Sequence, residues 1–170
     1  MTPRVHFVGL SGSGKTTLIA SLIEHWTARG LRLGAVKHAS KSFQMDHRGK
    51  DSHRFRSSGA AGVAIASPTE FAVISTTETP MTSADLVAHL PTDLDVVLIE
   101  GFKGDGGPTL EVHRGARPLL APAGLFAVVT DRPGTHLIDV PQLHLDDISG
   151  LAAFLERRLR LSALARRRAG

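Results

Sequence analysis

Residues 9–16 read GLSGSGKT, and these eight residues are the strongest indication of the fold. It matches the pattern G-x-x-x-x-G-K-[ST], in which a glycine-rich turn between a strand and a helix surrounds phosphate groups with backbone amides. Residues 4–9 (RVHFVG) are typical of a buried strand, and apolar residues recur at helical spacing between positions 18 and 26. The sequence therefore predicts a strand, a phosphate-binding loop and a helix in direct succession.

The residue types in this loop suit a nucleoside triphosphate with Mg²⁺. Glycines at positions 9, 12 and 14 leave room for backbone N–H groups to reach phosphate oxygens, and the start of the following helix attracts the same anion. Lys15 can neutralise the β and γ phosphates. Thr16 offers a hydroxyl oxygen, and Mg²⁺ prefers oxygen ligands. We therefore predict that Gly9, Gly12, Gly14, Lys15 and Thr16 contact the nucleotide or its metal.

The rest of the chain alternates apolar strands with helices. Strands are predicted at residues 31–37, 62–66, 71–75, 96–99 and 125–129, and helices at 51–58, 82–90 and about 148–159. No helix separates the two segments at 62–75, so they should form an antiparallel hairpin. The predicted fold class is α/β: a three-layer, phosphate-loop NTPase-like fold with a mostly parallel sheet, helices on both faces and a β-hairpin extension. We expect one nucleotide-binding domain over residues 1–160 and an Arg-rich tail over 161–170.

Two acidic residues follow predicted central strands. Residues 96–101 (VVLIEG) place Glu100 at the carboxyl end of a strand, where ligands bind in open α/β sheets and where a metal-binding acid accompanies a phosphate-binding loop. Glu100 and Thr16 are therefore the predicted metal ligands. Asp131 follows the strand at 125–129, and its carboxylate can pair with the N1–H and N2–H₂ donors of guanine. A lysine-containing N-K-x-D motif is absent, so the choice of base stays open at this point.

A polar cluster follows the second predicted strand. It begins on the same sheet edge as the loop, with Lys37, His38, Asp46, Lys50, Asp51 and Arg54 as its candidate functional residues. Its cations can meet substrate phosphates, and Asp46 or Asp51 can reach a metal. The alternative is a solvated polar loop with ordinary ion pairs.

Composition excludes several classes of protein. The chain has no cysteine, so disulfides, thiolate metal sites and cysteine nucleophiles are excluded. The longest nearly continuous apolar run is residues 119–129, and a membrane-spanning helix needs about 20 residues. The first ten residues lack the pattern of a signal peptide, so we expect no membrane association and a cytoplasmic location.

The charge is uneven along the chain. The formal net charge is +4, but residues 157–170 hold six arginines and no acid, and the remaining residues carry 14 basic and 16 acidic side chains. Such a basic end is typical of a solvated helix C-terminus or of a segment that binds an acidic partner.

Several motifs together resemble the molybdopterin-guanine dinucleotide biosynthesis adaptor proteins of the MobB family. They are residues 9–17 (GLSGSGKTT), Lys37-His38, Phe43-x-x-Asp46-x-x-Gly49-Lys50-Asp51-Ser52-x-Arg54, residues 98–103 (LIEGFK) and Pro108-x-Leu110-Glu111-Val112-x-Arg114. They span about residues 4–131 in the family's order. One departure is Ser40-Lys41-Ser42, where many members of the family are rich in histidine.

The resemblance implies a function and a set of residues. It implies GTP binding with Mg²⁺, at most slow hydrolysis, a homodimer, and assistance to the guanylyltransferase MobA, which joins GMP from GTP to molybdopterin. By position, the triphosphate would be held by Ser11, Gly12, Ser13, Gly14, Lys15, Thr16 and Thr17. Thr16 and Glu100 would hold the metal. The second part of the cleft would contain Lys37, His38, Asp46, Lys50, Asp51, Arg54 and Lys103.

Two other functions are compatible with parts of the sequence. A small-molecule kinase needs a segment that closes over the phosphates; the glycine-rich residues 103–108 are the candidate, and no separate lid domain is recognisable. A nucleic-acid-binding NTPase would use the arginine tail, but that tail lacks interleaved aromatic residues, so nucleic acid is not the expected partner.

Overall fold

A computed structural model describes residues 2–161. It contains two compact units, one formed by the chain up to His38 and from Thr82 onward, the other by Ala39–Met81. The predicted single domain over residues 1–160 stays a prediction. Of the predicted Arg-rich tail, residues 162–170 lie outside the described residues.

The helices and strands alternate along the chain. In order they are β1 (Arg4–Val8), α1 (Lys15–Thr27), β2 (Leu33–Lys37), α2 (Asp51–Ser57), β3 (Gly62–Ala66), β4 (Phe71–Ser75), α3 (Ser83–Ala88), β5 (Val96–Glu100), β6 (Thr109–His113), β7 (Leu125–Thr130), β8 (Gln142–His144) and α4 (Ile148–Leu159). No helix in residues 2–161 combines the length and the apolar character that crossing a bilayer requires.

A six-stranded sheet organises the first unit. Its strand order is β2-β5-β1-β6-β7-β8, and every neighbouring pair is parallel. Because the strands are parallel, their carboxyl ends share one edge, where open α/β sheets bind ligands. The loops after β1, β2, β5, β6 and β7 all leave from this edge, so the sheet brings distant parts of the sequence together.

Apolar side chains cover both faces of this sheet. On one face, α1 and α4 pack against the inward residues of the central strands, with Trp26, Leu22 and Phe7 fully buried. The Trp26 indole N–H also donates to the Glu156 carboxylate on α4 at 2.9 Å. On the other face, α3 covers Val97 and Ile99. The helices on both faces confirm the predicted three-layer fold.

Helix ends follow the sequence signals. Thr82 caps α3 with a capping box to Asp85, and the Asp147 carboxylate caps α4 through the Gly150 N–H at 2.8 Å. Gly30 has a positive φ of 82° in the turn after α1. These residues confirm the predicted helix boundaries to within a few positions.

Two strands were not predicted. In β6 (TLEVH) every residue is buried, although its second half alternates apolar residues with Glu111 and His113. Buried polar side chains interrupt the continuous apolar run that marks a central strand, and a Gly/Pro-rich stretch precedes it. The other missed strand, β8, has only three residues. The sheet is therefore wider than expected.

The second unit contains α2 and the two-stranded antiparallel sheet of β3 and β4. The antiparallel hairpin and its bounds were predicted correctly, because Pro68 and neighbouring polar residues interrupt two short apolar runs. No residue of α2 is buried, and several large apolar side chains of this unit are exposed.

Candidate nucleotide-binding site

The loop between β1 and α1 has the backbone that an anion site needs. Gly9, Gly12 and Gly14 all have positive φ values, of 149°, 78° and 97°. At position 9 a Cβ atom would lie 2.2 Å from the Val112 carbonyl oxygen, so only glycine fits there. Gly14 is the N-cap of α1, and within residues 2–161 the start of that helix has no side-chain cap. Its first amides are available to a phosphate.

Lys15 lies folded over this loop. Its ammonium donates to the carbonyl oxygens of Gly9 and Leu10, at 3.0 and 2.8 Å. Burial lowers the pKa of Lys15. The neighbouring charges of Lys103 and Lys37 lower this pKa further, and the charge of Glu100 opposes the shift. A phosphate beside the ammonium would stabilise its charged form, so Lys15 is well placed to bind an anion.

Thr16 and Glu100 meet as predicted. The Thr16 hydroxyl donates to the Glu100 carboxylate at 2.9 Å. The Lys37 ammonium lies 2.9 Å from the same carboxylate oxygen and 3.3 Å from the Thr16 hydroxyl. Lys37 and Glu100 face each other because they are partners in the parallel register of β2 and β5. A positive charge thus already bridges the two oxygens predicted to hold a metal.

These two oxygens fit a hard divalent cation. A hydroxyl and a carboxylate are the ligand types Mg²⁺ takes, and Mg²⁺ usually keeps several waters and phosphate oxygens besides one or two protein ligands. In residues 2–161 no group of three His, Asp or Glu side chains is placed to bind a metal ion without such additional ligands. The geometry therefore suits a metal that arrives with a nucleotide.

The loop after β5 lies next to this pair. Gly101 has a φ of 93°, and a Cβ there would lie 2.9 Å from the Cβ of His38. The His38 N–H donates to the Glu100 carbonyl at 2.9 Å, and its ring packs on Phe102 with centroids 4.8 Å apart. His38 thus fixes the backbone at the carbonyl of Glu100 and in the two residues that follow it. The exposed Lys103 contributes charge close enough to affect Lys15.

A cavity of about 270 Å³ lies between α1 and the start of α4. Gly14 and Thr17 line one side, and Leu145 and Asp146 line the other. Asp146 was not predicted as a site residue, because it follows β8, a strand too short to recognise from sequence. Arg114 also lines this cavity, and a guanidinium nitrogen would lie 3.9 Å from a Cβ placed on Gly14.

Asp131 lies at the predicted sheet edge, directly after β7. Its two carboxylate oxygens accept from the Gly115 N–H at 3.1 and 3.3 Å. This backbone hydrogen bond is the main reason that the pKa of Asp131 is lowered. Asp131 therefore anchors the loop that follows β6, and its predicted contact with guanine stays a prediction.

The remaining predicted cleft residues belong to the second unit. The Asp46 carboxylate accepts from the His47 N–H and the Ser52 hydroxyl, both at 2.9 Å. Lys50 is the N-cap of α2, and Asp51 and Arg54 form an exposed ion pair at 3.8 Å. Asp46 lines a cavity of about 520 Å³ within this unit. The role of these four residues in a second cleft stays a prediction.

Comparison with known proteins gives consistent relatives. The family model described as "Molybdopterin guanine dinucleotide synthesis protein B" (MobB) matches residues 4–131. The chain is 37% identical over 165 residues to a molybdopterin-guanine dinucleotide biosynthesis adapter protein of Escherichia coli, covering 91% of this chain and 92% of that protein. It is 34% identical over 161 residues to the adapter of Haemophilus influenzae, covering 92% and 89%. The crystal structure of Bacillus subtilis MobB superposes with a TM-score of 0.75 at 27% identity, covering 92% and 98%.

Proposed function

The chain belongs to the molybdopterin guanine dinucleotide synthesis protein B family, and from this premise we propose that it binds GTP with Mg²⁺ as an adapter in molybdopterin guanine dinucleotide formation. Its partner is molybdopterin or the guanylyltransferase MobA, in the cytoplasm. The observation that supports nucleotide binding most strongly is the loop itself: a start of α1 that has no side-chain cap in the described part of the chain, and a partly buried Lys15 ammonium.

The triphosphate occupies the loop from Ser11 to Thr17. The N–H groups of the loop donate to phosphate oxygens, and Lys15 moves from the carbonyls of Gly9 and Leu10 to the β and γ phosphates. When bound, Mg²⁺ neutralises phosphate charge, and the Thr16 hydroxyl and the Glu100 carboxylate are the side chains that would hold it. Lys37, which now bridges those oxygens, then becomes free to face the phosphates.

The base belongs in the cavity between α1 and α4, since Gly14 and Thr17 form its wall next to the phosphate site. Two carboxylates are candidates for the acceptor of the guanine N1–H and N2–H₂ donors. Asp131 is the residue predicted from the sequence, and Asp146 lines the cavity itself. Comparing GTP and ATP affinities of Asp131→Asn and Asp146→Asn shows which carboxylate selects guanine.

Slow hydrolysis follows from the engagement of Glu100. As a ligand of the bound metal, its carboxylate would not be free to act as a base for an attacking water. A slow GTPase suits an adapter that presents GTP to another enzyme. A kinase should instead consume nucleotide much faster once its acceptor is supplied.

We propose a homodimer that uses the hairpin of the second unit. Phe71 and Val73 lie on one face of this hairpin and are 78% and 63% exposed, with Ala64 and Ala66 opposite them in register. A two-stranded sheet is marginal in water without cover, and a second copy would supply it. Phe71→Lys should then shift the mass in solution towards the monomer.

The decisive functional test is reconstitution. Purified guanylyltransferase, molybdopterin and Mg·GTP are incubated with and without this protein, and dinucleotide yield is measured. An adapter raises the yield and loses this effect in Glu100→Gln. A yield that does not change in the presence of the folded protein contradicts the proposed function.

A further inference from the structure

A third cavity lies on the β6 side of the phosphate-binding loop. It has a volume of about 230 Å³ and is formed by the outer side of residues 10–13, the end of β6, and the loop that follows β6. Ligand pockets for drug-sized molecules have volumes of about 300–1,000 Å³. This cavity is smaller, so it suits the end group of a ligand rather than a whole nucleotide.

Two deeply buried polar atoms of this cavity's residues have no hydrogen-bond partner within the described chain: the Ser13 hydroxyl oxygen and His113 Nδ1. Ser13 is 6% exposed and His113 is 3% exposed. Leaving a buried polar group unsatisfied is unfavourable, so native proteins usually pair such groups. Both residues line the cavity, which makes a ligand there the natural partner.

The cavity is also cationic. Arg114 and Arg117 line it, and within residues 2–161 neither guanidinium forms an ion pair with a carboxylate. Guanidinium groups bind phosphate with directed N–H donors, and Ser11 adds a hydroxyl at the same wall. The three terminal oxygens of a phosphate monoester can accept from two arginines and a serine together, whereas a carboxylate has only two oxygens.

His113 restricts the ligand further. Its Nε2 lies 2.6 Å from the Arg117 carbonyl oxygen, which can only accept, so Nε2 carries the hydrogen. In the neutral ring Nδ1 is then an acceptor. The ligand should therefore present an O–H or N–H donor close to its phosphate.

The cavity adjoins the proposed nucleotide site: Ser11, Gly12 and Ser13 line it and belong to the loop that would hold the triphosphate, and Arg114 lines both this cavity and the one proposed for the base. Lys15, Thr16 and Glu100 interact on the β5 side of β1, and none of them lines the cavity. His113 ends β6, which pairs with the opposite edge of β1. A ligand in each site would therefore lie on opposite sides of the loop.

We propose that this cavity binds the phosphate monoester of a second small molecule, one that carries a hydroxyl or N–H donor, while a nucleotide occupies the phosphate-binding loop. The proposal goes beyond nucleotide binding and rests on the proposed function only for the identity of the nucleotide. It gives the adapter two ligand sites that share one loop.

Glycerol 3-phosphate, a monoester with hydroxyl groups, is the probe. Its binding to ¹⁵N-labelled protein is followed by NMR, with and without saturating Mg²⁺ and guanosine 5′-(β,γ-imido)triphosphate, at the amides of Ser13 and His113. We expect binding in both conditions. Arg117→Ala should weaken the probe about tenfold or more, because hydrogen bonds to charged groups contribute about 1.5–3 kcal/mol, and should leave nucleotide affinity within about twofold.

Three control variants separate this site from the loop. Lys15→Ala should weaken nucleotide binding and leave probe binding unchanged, which is the reverse of the effect expected for Arg117→Ala. Arg157→Ala removes the same charge from an exposed position on α4 and should change neither affinity. Arg117→Lys keeps the charge but lacks the planar donors of the guanidinium. Its affinity for the probe should lie between those of wild type and Arg117→Ala. Thermal melts verify that each variant is folded.

Competition between probe and nucleotide, equal probe affinity in wild type and Arg117→Ala, or no detectable probe binding to wild type would each overturn the proposal. If the probe bound in an Arg117-dependent way but the protein bound no nucleotide, the phosphate site in the cavity would be supported and the proposed function would be overturned.

Discussion

Glu111 provides a stringent test of how the loop after β6 is held. The side chain lies in the middle of β6 and is 1% exposed. Its two carboxylate oxygens accept from the backbone N–H groups of Leu120 and Ala121, at 2.7 and 2.9 Å. Ala121 has a φ of 41°, a conformation that alanine rarely adopts, so the carboxylate stabilises an unusual backbone.

Glu111→Gln removes one of these two acceptors with little change in shape. A hydrogen bond to a charged group contributes about 1.5–3 kcal/mol, and an unsatisfied buried N–H costs about 1–3 kcal/mol. Part of this loss is offset because a neutral amide is easier to bury than a carboxylate. We therefore expect the variant to be less stable by about 2–4 kcal/mol, or roughly 4–16 °C in melting temperature for a chain of this size.

Urea denaturation and differential scanning calorimetry measure this change, with Glu24→Gln as the matched control. Glu24 is exposed on α1, so the same substitution there should shift stability by no more than about 0.5 kcal/mol. If Glu111→Gln were as stable as the control, the carboxylate would not hold the loop, and the positions inferred for Arg114 and Arg117 would lose their support.

Three further predictions concern Gly9, Glu100 and His6. Gly9→Ala should destabilise the protein by about 2 kcal/mol or more in urea denaturation, because its Cβ would clash with the Val112 carbonyl. Gly104→Ala is the milder control, because no atom lies within 4 Å of a Cβ placed there. Glu100→Gln should reduce the Mg²⁺ dependence of GTP affinity in calorimetry, and identical dependence would remove Glu100 from the metal site. Burial lowers the pKa of His6 below 6.5, so the unfolded chain takes up that proton first and stability decreases as the pH falls below 6.5. His6→Gln should therefore lose less stability than wild type between about pH 7 and 5. If the free energies of unfolding of the two proteins changed with pH in parallel, His6 would not cause the loss of stability.

The central strands and the phosphate-binding loop were predictable from sequence because local physics fixes them. The glycines and Lys15 in this loop have few alternative explanations, and four apolar residues before Glu100 mark a strand that ends at the ligand edge. The contact of Glu100 with Thr16 followed from the topology of a parallel sheet. The hairpin of β3 and β4 was predictable because turn residues separate its two strands.

Other parts depend on tertiary contacts that sequence patterns do not show. The strand β6 was missed because Glu111 and His113 make it look half polar, and only the backbone groups of residues 117–121 explain why these side chains are buried. Asp131 was recognised as an acid at the sheet edge, but its bond to Gly115 is formed across two loops. The cavity on the β6 side of the phosphate-binding loop could not be predicted from sequence either, because it is formed by two loops that are distant in the chain.

Calorimetric titration of wild type and Lys15→Ala with Mg·GTP and Mg·ATP tests most directly whether the turn after β1 is a triphosphate site. We expect one GTP per chain, weaker binding of ATP, and an affinity about tenfold or more lower for GTP in a folded Lys15→Ala variant, since the lost ammonium makes charge-assisted hydrogen bonds to phosphate. Equal GTP affinity in the two folded proteins would contradict the account.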